Sequence, residues 1–199
     1  MKLLYSTTSP FARKVRVVAV ELGVQLEEVP VATLPTKPDP ILAAQNPLSK
    51  IPTLVRDDGS VLYDSRVICE WLDAEAGNKL VAASGAARWD TLRRQALADG
   101  IADAAVLVRY ETVFRPEDKR WDDWTRGQLG KIKAGLDALE ADAKNVGQSF
   151  DLGHIAAVCA LGYLEFRNIV SDPLKNRPRL AAFLASALSR PSVTRTMLA

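Results

Sequence analysis

Four short stretches near the start of the chain carry groups able to hold and activate a small polar ligand. The first is Ser6-Thr7-Thr8-Ser9-Pro10-Phe11. A hydroxyl beside the free N–H groups of a helix start is aimed at an anion. A thiolate is such an anion. An ordinary thiol has a pKa of about 8.5, and a hydrogen bond to its charged form plus a positive helix end lowers that value. The same serine also reads as a plain N-cap ahead of a first-turn proline. No His-plus-acid pair accompanies it, which speaks against a serine hydrolase.

The second stretch is Ile51-Pro52. It is either an ordinary trans proline at a strand start or a cis proline. The cis form turns the Ile51 N–H and C=O outward, where an extended peptide-like ligand pairs with them as an added strand would. The third is Asp64-Ser65. Beyond capping a helix, the Ser65 hydroxyl and the helix N–H groups suit a carboxylate, and the Asp64 side chain suits an ammonium. A single α-amino acid satisfies both. The fourth is Asn46-Pro47-Leu48-Ser49-Lys50, a turn that brings a cationic Lys50 beside the same place, or leaves it solvated.

The elements that must position these groups follow from local pattern. Seven of the 11 prolines fall at or before Pro52, so the first part reads as short elements with turns. Lys2 to Tyr5 suits a strand. Ser9-Pro10 opens a helix whose Phe11, Val15, Val18, Ala19 and Leu22 recur at helical spacing, and Gly23 closes it. Leu26 to Val31 is a second strand, and Asp39 to Gln45 a short helix. Thr53 to Arg56 and Ser60 to Tyr63 are strands around the hairpin turn Asp57-Asp58-Gly59. Asp64 or Ser65 then caps a helix through Val67, Ile68, Trp71 and Leu72, with Gly77 beyond its end. The order is β-α-β-α-β-β-α. A right-handed crossover makes the first two strands parallel, and the tight turn makes the last two antiparallel. The expected result is an α/β domain over residues 1–77 with thioredoxin-like arrangement.

Residues 78–86 read as a linker. An all-α bundle over 87–199 follows. Its helices are Arg88 to Phe114, Glu117 to Ala143, Gly153 to Asn168, and one opened by Pro178 and broken at Ser189-Arg190-Pro191. Trp121, Trp124, Ile132, Leu136 and Leu139 form one stripe on the second helix. The third buries Ile155, Val158, Cys159, Leu161 and Phe166; the fourth runs through Leu180, Phe183, Leu184 and Leu188. Asp151 is the expected N-cap of the third helix, with Phe150 and Ile155 as a hydrophobic staple across it.

Lys plus Arg number 26 against 24 Asp plus Glu, and this balance gives no electrostatic case for nucleic acid as a main partner. The start is too short and polar for a signal peptide. No stretch is apolar for long enough to span a membrane. A soluble, cytosolic protein is expected. Cys69 and Cys159 each lie inside an apolar helical pattern and read as reduced core thiols. Two Cys and the single His154 cannot build a four-ligand zinc site.

Each of the four signals is weak alone, but their order and spacing resemble glutathione transferases. The shared pattern is Ser-Pro after the first strand, Asn-Pro-Leu-x-Lys-Ile-Pro-x-Leu, and Asp-Ser before an amphipathic helix. The likeness covers nearly the whole chain and is closest to bacterial members with Ser-Pro-Phe at the start of the first helix. It implies that Ser9 stabilises the glutathione thiolate and that Ile51 pairs with the cysteinyl backbone beside a cis Pro52. It implies that Asp64 and Ser65 grip the γ-glutamyl end and that Lys50 lies near the glycyl carboxylate. Glutathione is then a co-substrate, with no metal or other cofactor, and a detoxifying attack on a hydrophobic electrophile is the implied reaction. The electrophile cleft is expected between the domains, walled by first-half loops and residues Val108 to Phe114, with Tyr110, Phe114 and Tyr163 as contacts. A two-fold homodimer is implied as well.

Two departures matter. No Cys lies near Ser9, which disfavours thiol–disulfide exchange. His154 stands where the family commonly has Asp, three residues after the N-cap, and reads as structural. Thr7 and Thr8 stay beside Ser9 as candidates for the hydroxyl that faces the thiol. A non-catalytic binding protein of this fold, or a glutathione-dependent isomerase or dehalogenase, are the alternatives.

Overall fold

The apolar run after Met1 becomes the second strand in a sheet of four. In this computed structural model, residues 1–143 and 150–199 are described. Strand β1 (Lys2–Tyr5) lies between β2 (Glu27–Pro30) and β3 (Thr53–Val55), and β4 (Val61–Leu62) pairs on the far side of β3. β1 and β2 are parallel, with Leu4 opposite Val29; β3 runs antiparallel to both β1 and β4. Successive side chains of a strand point to opposite faces. Leu3 and Tyr5 accordingly join one core with Leu54, while Leu4 joins a smaller cluster with Val31 and Leu42.

Helices α1 (Pro10–Leu22) and α3 (Ser65–Glu75) cover the first face, and α2 (Pro40–Gln45) covers the second. The ends of α1 are set locally. Ser9 Oγ accepts the Ala12 N–H at 3.2 Å, Pro10 fills the first turn, and Gly23 takes φ 72° at the carboxyl end. That left-handed conformation lets the Val24 N–H reach Ala19 O at 2.8 Å. Asp39 caps α2 and Asp64 caps α3 in the same way.

The second half is all helical: α4 (Gly85–Arg109), α5 (Asp122–Asp142), α6 (Leu152–Phe166), α7 (Pro178–Ala187) and α8 (Pro191–Thr194). α6 is buried on nearly every side, because it packs on α4 and also meets α1 across the junction of the halves. The architecture is that of a thioredoxin-like sheet domain followed by a helical bundle, as the element order indicates. Asp73 anchors the connection: its carboxylate accepts the Leu80 and Val81 N–H groups at 2.7 and 2.8 Å. No helix among the described residues is long and apolar enough to cross a membrane.

Several local expectations need correction. The long helix starts at Gly85, ahead of Arg88, and its regular α form stops at Arg109. Tyr110–Phe114 forms a wider π turn, closed by the Arg115 N–H on Tyr110 O, while Thr112 Oγ1 donates to the Val108 carbonyl. Residues Glu117–Lys119 make a separate 3-10 turn, and α5 begins only at Asp122. Trp121 is therefore its N-cap residue. Trp121 and Trp124 are 62% and 40% exposed and stack on each other, whereas Ile132, Leu136 and Leu139 are buried as expected. Phe166 and Leu188 are also partly exposed, at 39% and 40%, since each stands at or just past the end of its helix. Phe150 packs against the core, stacks on His154 and lies under the Arg190 guanidinium.

His154 completes a capping box. Asp151 Oδ1 accepts the His154 N–H at 2.9 Å, and the Asp151 N–H reaches back to His154 Nδ1 at 3.3 Å. The structural role expected for this histidine is what is seen. Both cysteines are free and buried, and burial pushes their thiols up to about 12 for Cys69 and about 11 for Cys159.

Candidate functional site

The loop after β1 sorts its hydroxyls by partner. Thr7 Oγ1 donates to Ala199 O at 2.8 Å. Ser6 Oγ and Thr8 Oγ1 lie 3.2 Å apart and share one hydrogen bond. Ser9 Oγ accepts from Ala12 N, and its own proton has no acceptor among the described residues. Ser9 is thus a helix cap that keeps a donor in reserve.

The Ile51–Pro52 bond is cis. Neither the N–H nor the C=O of Ile51 is hydrogen-bonded among the described residues. The loop before it is pinned from inside. Asn46, 1% exposed, donates through Nδ2 to Lys50 O and to Thr53 Oγ1, both at 3.0 Å. Thr53 Oγ1 donates in turn to Lys50 O at 2.9 Å, and Asn46 Oδ1 accepts the Leu48 N–H. A buried amide with both ends satisfied fixes backbone direction more firmly than the turn residues alone. Lys50 itself is exposed. The Asn-Pro pair was expected to shape this loop; the buried amide–threonine triangle that does so gave no separate local signal.

Asp64 is exposed, and its Oδ1 accepts the Arg66 N–H at 2.8 Å. The Tyr63–Asp64 bond is also cis. Ser65 is buried at the first position of α3. First-turn N–H groups have no partner inside their helix, and those of Ser65 and Val67 remain unused among the described residues. An anion is the natural occupant.

Behind these two helix starts lies an ionic cluster that sequence pattern did not reveal. Lys14 on α1 donates to both oxygens of Asp99 on α4, at 2.7 and 2.8 Å. Arg66 Nε reaches the same carboxylate at 3.0 Å. Asp103, one turn further along α4, faces Arg66 at 4.0 Å. Burial raises the pKa of the Asp103 carboxyl, opposed by Arg66 and Lys50. The two helices that start at Ser9 and Ser65 are therefore tied to one carboxylate of the helical half.

A cavity of about 710 Å³ opens between the halves. Leu34, Pro35 and Thr36 form one wall, and Tyr110, Phe114, Trp121 and Trp124 form the other. Tyr110 and Phe114 meet edge to face at 5.6 Å. Glu111, buried beneath them, accepts the Trp121 N–H at 2.8 Å and Arg115 Nε at 2.7 Å. The Trp121 N–H is the main reason its carboxyl ionises below the usual range, with Arg115 adding to it. Tyr163 is not part of this wall. It is 4% exposed in the core, and burial raises its phenol pKa. Trp121 and Trp124, which the sequence puts on one helical stripe with Ile132, Leu136 and Leu139, line the cavity.

A thioredoxin-like sheet domain carries an open helix start and a cis-proline loop, the chain continues as a helical bundle, and an apolar cavity that none of Ser9, Lys50, Ile51, Pro52, Asp64 and Ser65 lines opens between the halves. This is the architecture of glutathione-handling transferases. Residues 8–75 match the family described as "Glutathione S-transferase, N-terminal domain", and residues 122–186 match "Glutathione S-transferase, C-terminal domain". The GST-like protein YibF of Escherichia coli K12, itself uncharacterised, is 36% identical, with 98% of each chain covered. A glutathione transferase family member from Pseudomonas fluorescens Pf-5 with bound glutathione is 42% identical, covering 100% of this chain and 98% of that one, with a TM-score of 0.96. A structure of a Pseudomonas fluorescens Pf-5 family member with bound S-(propanoic acid)-glutathione is 40% identical, covering 100% and 99%, with a TM-score of 0.91. The chain belongs to the glutathione S-transferase family.

Proposed function

We propose that the protein conjugates glutathione to a hydrophobic electrophile. The observation that carries this reading is Ile51: both its main-chain groups are free, beside a cis proline, in a loop held rigid by buried Asn46 and Thr53. An extended peptide pairs there as an added strand. The γ-glutamyl carboxylate then takes the free N–H groups at the start of α3 and the Ser65 hydroxyl, with Asp64 on the ammonium. Lys50 attracts the glycyl carboxylate. In this reading the cysteinyl sulfur faces Ser9, whose unspent proton suits a thiolate.

The reaction follows from that placement. Ser9 donates a hydrogen bond to the sulfur and, with the N-terminus of α1, favours its ionised form. A lowering of the thiol pKa by about two units stabilises thiolate by about 2.7 kcal/mol. The sulfur attacks an electrophilic carbon held in the aromatic cavity; the carbon–sulfur bond forms as a leaving group departs with its electron pair. Tyr110 and Phe114 contact the electrophile in this reading, and Trp121 and Trp124 replace Tyr163. The thioether bound to the Pf-5 relative is a product of the same type of bond. An isomerase or dehalogenase would use the same thiolate on another electrophile.

We place the protein in the cytoplasm, where reduced glutathione is abundant and its two thiols stay reduced. We also propose a homodimer, supported by exposed apolar side chains at Leu48, Val67 and Trp89 on both halves. The deciding experiment is turnover of a reactive aryl halide by wild type and Ser9→Ala, with glutathione affinity measured in parallel. Retained affinity with most turnover lost is expected. Turnover equal to wild type would remove Ser9 from the mechanism, and no turnover by wild type would favour a binding role.

A further inference from the structure

A second cation on α1 is buried with no ion pair among the described residues. Arg13 is 3% exposed, and a long charged side chain is seldom so enclosed unless paired. Its Nη2 donates to Val193 O at 3.2 Å and to Met197 Sδ at 3.4 Å. Its Nε is buried with no partner, and its Nη1 makes no hydrogen bond among the described residues. Neither partner it does have carries a charge. The contrast with its neighbour is direct: Lys14 is as deeply buried and has the Asp99 carboxylate on its ammonium.

The guanidinium borders a cavity of about 300 Å³ on the side of the molecule formed by α1, α6 and the chain end. Val158, Phe166, Leu184, Leu188 and Leu198 wall it. Gly162 on α6 is what leaves room for the cation, since a Cβ there would collide with Arg13 Nη1. Glu165 also borders the cavity; burial raises its carboxyl pKa and the Arg13 charge opposes that, but the side chain is exposed and forms no ion pair with Arg13 among the described residues. A cavity of this size is at the small end of the range for ligand sites, and apolar walls around one polar group are their usual composition. An unpaired buried charge costs far more than a paired one.

We propose that this cavity is a second ligand site, separate from the glutathione site, which binds a small monocarboxylate with an apolar tail. The carboxylate takes the unused N–H groups of Arg13 as charge-assisted hydrogen bonds. The tail fills the space between Phe166, Leu184 and Leu188. A bare inorganic anion leaves those walls uncovered, and a neutral alcohol leaves the guanidinium unpaired.

Titration calorimetry of the full chain with octanoate, octan-1-ol and sulfate tests this. One octanoate per chain is expected, with octan-1-ol weaker by about tenfold or more for want of the charge-assisted bonds and sulfate not competing. Leu188→Trp, a change at an exposed residue, fills the mouth and is expected to abolish octanoate binding while glutathione affinity stays unchanged. Glu165→Gln is expected to keep or tighten it. Arg13→Met is expected to erase the preference for octanoate over octanol; should it not fold, the Leu188 and Glu165 variants decide. Equal affinity for octanoate and octan-1-ol, binding that survives Leu188→Trp, loss of binding in Glu165→Gln, or no heat with octanoate would each overturn the proposal.

Discussion

Lys14 and Asp99 form a buried ion pair in which one ammonium donates to both oxygens of one carboxylate, at 2.7 and 2.8 Å, across the junction of the two halves. Arg66, the residue after Ser65, shares that carboxylate. Removing one member of a buried pair leaves an uncompensated charge and costs about 3–5 kcal/mol. Asp99→Ala is expected to lose that much in denaturant unfolding and to weaken glutathione binding too, because both helix starts lose their common anchor. A variant with unchanged unfolding would contradict the assignment.

Asn46 holds the main chain that presents Ile51. Asn46→Ala removes the donor to buried Thr53 Oγ1 and one of the two donors to Lys50 O, and takes the acceptor from the Leu48 N–H, at a cost of about 1–3 kcal/mol. The glutathione dissociation constant is expected to rise by about tenfold, equivalent to about 1.4 kcal/mol. Equilibrium dialysis with glutathione checks this, and an unchanged constant would mean that the loop holds its shape without the amide.

Phe114 and Tyr163 separate cavity from core. Phe114→Ala removes a ring from the 710 Å³ cavity, so KM for an aryl halide is expected to rise while KM for glutathione holds. Tyr163→Phe keeps the buried ring and is expected to leave both constants unaltered. Steady-state kinetics with each substrate varied in turn distinguishes the two.

Asp151 sets an acid limit on stability. Burial disfavours its charged form, but the His154 and Arg94 contacts outweigh that and hold its carboxyl at about 2, below the ordinary 3.8. A pKa depressed in the folded state contributes stability above the unfolded value, here about 2 kcal/mol. That contribution is lost as pH falls from about 4 toward 2. Asp151→Asn is expected to flatten this part of the pH dependence of unfolding; an unchanged slope would place the acid sensitivity elsewhere.

Where structure depends on neighbours in sequence, it could be read from sequence. Ser9-Pro10, Asp39-Pro40 and Asp64-Ser65 mark helix starts because a cap needs only a side chain and the next three N–H groups. Gly23 marks an end for the same local reason. The Asp99 cluster was not legible, since Lys14 and Asp99 lie 85 residues apart and each reads alone as a solvated charge. Trp121 and Trp124 share a helical stripe with Ile132, Leu136 and Leu139, but they stand at the very start of α5, where they line the cavity instead of the core. Tyr163 and Phe114 are both aromatic in helical surroundings, and only the packing of α4 against α6 decides which one faces the cavity.

In the proposed reaction Ser9 makes the bound sulfur a thiolate. Ultraviolet absorbance of the glutathione thiolate, titrated against pH in the complex, reads this directly in wild type and in Ser9→Ala. Wild type is expected to titrate about two units below the free thiol near 8.5, and Ser9→Ala close to the free value. The same depressed pKa in both proteins would mean that Ser9 does not stabilise the thiolate.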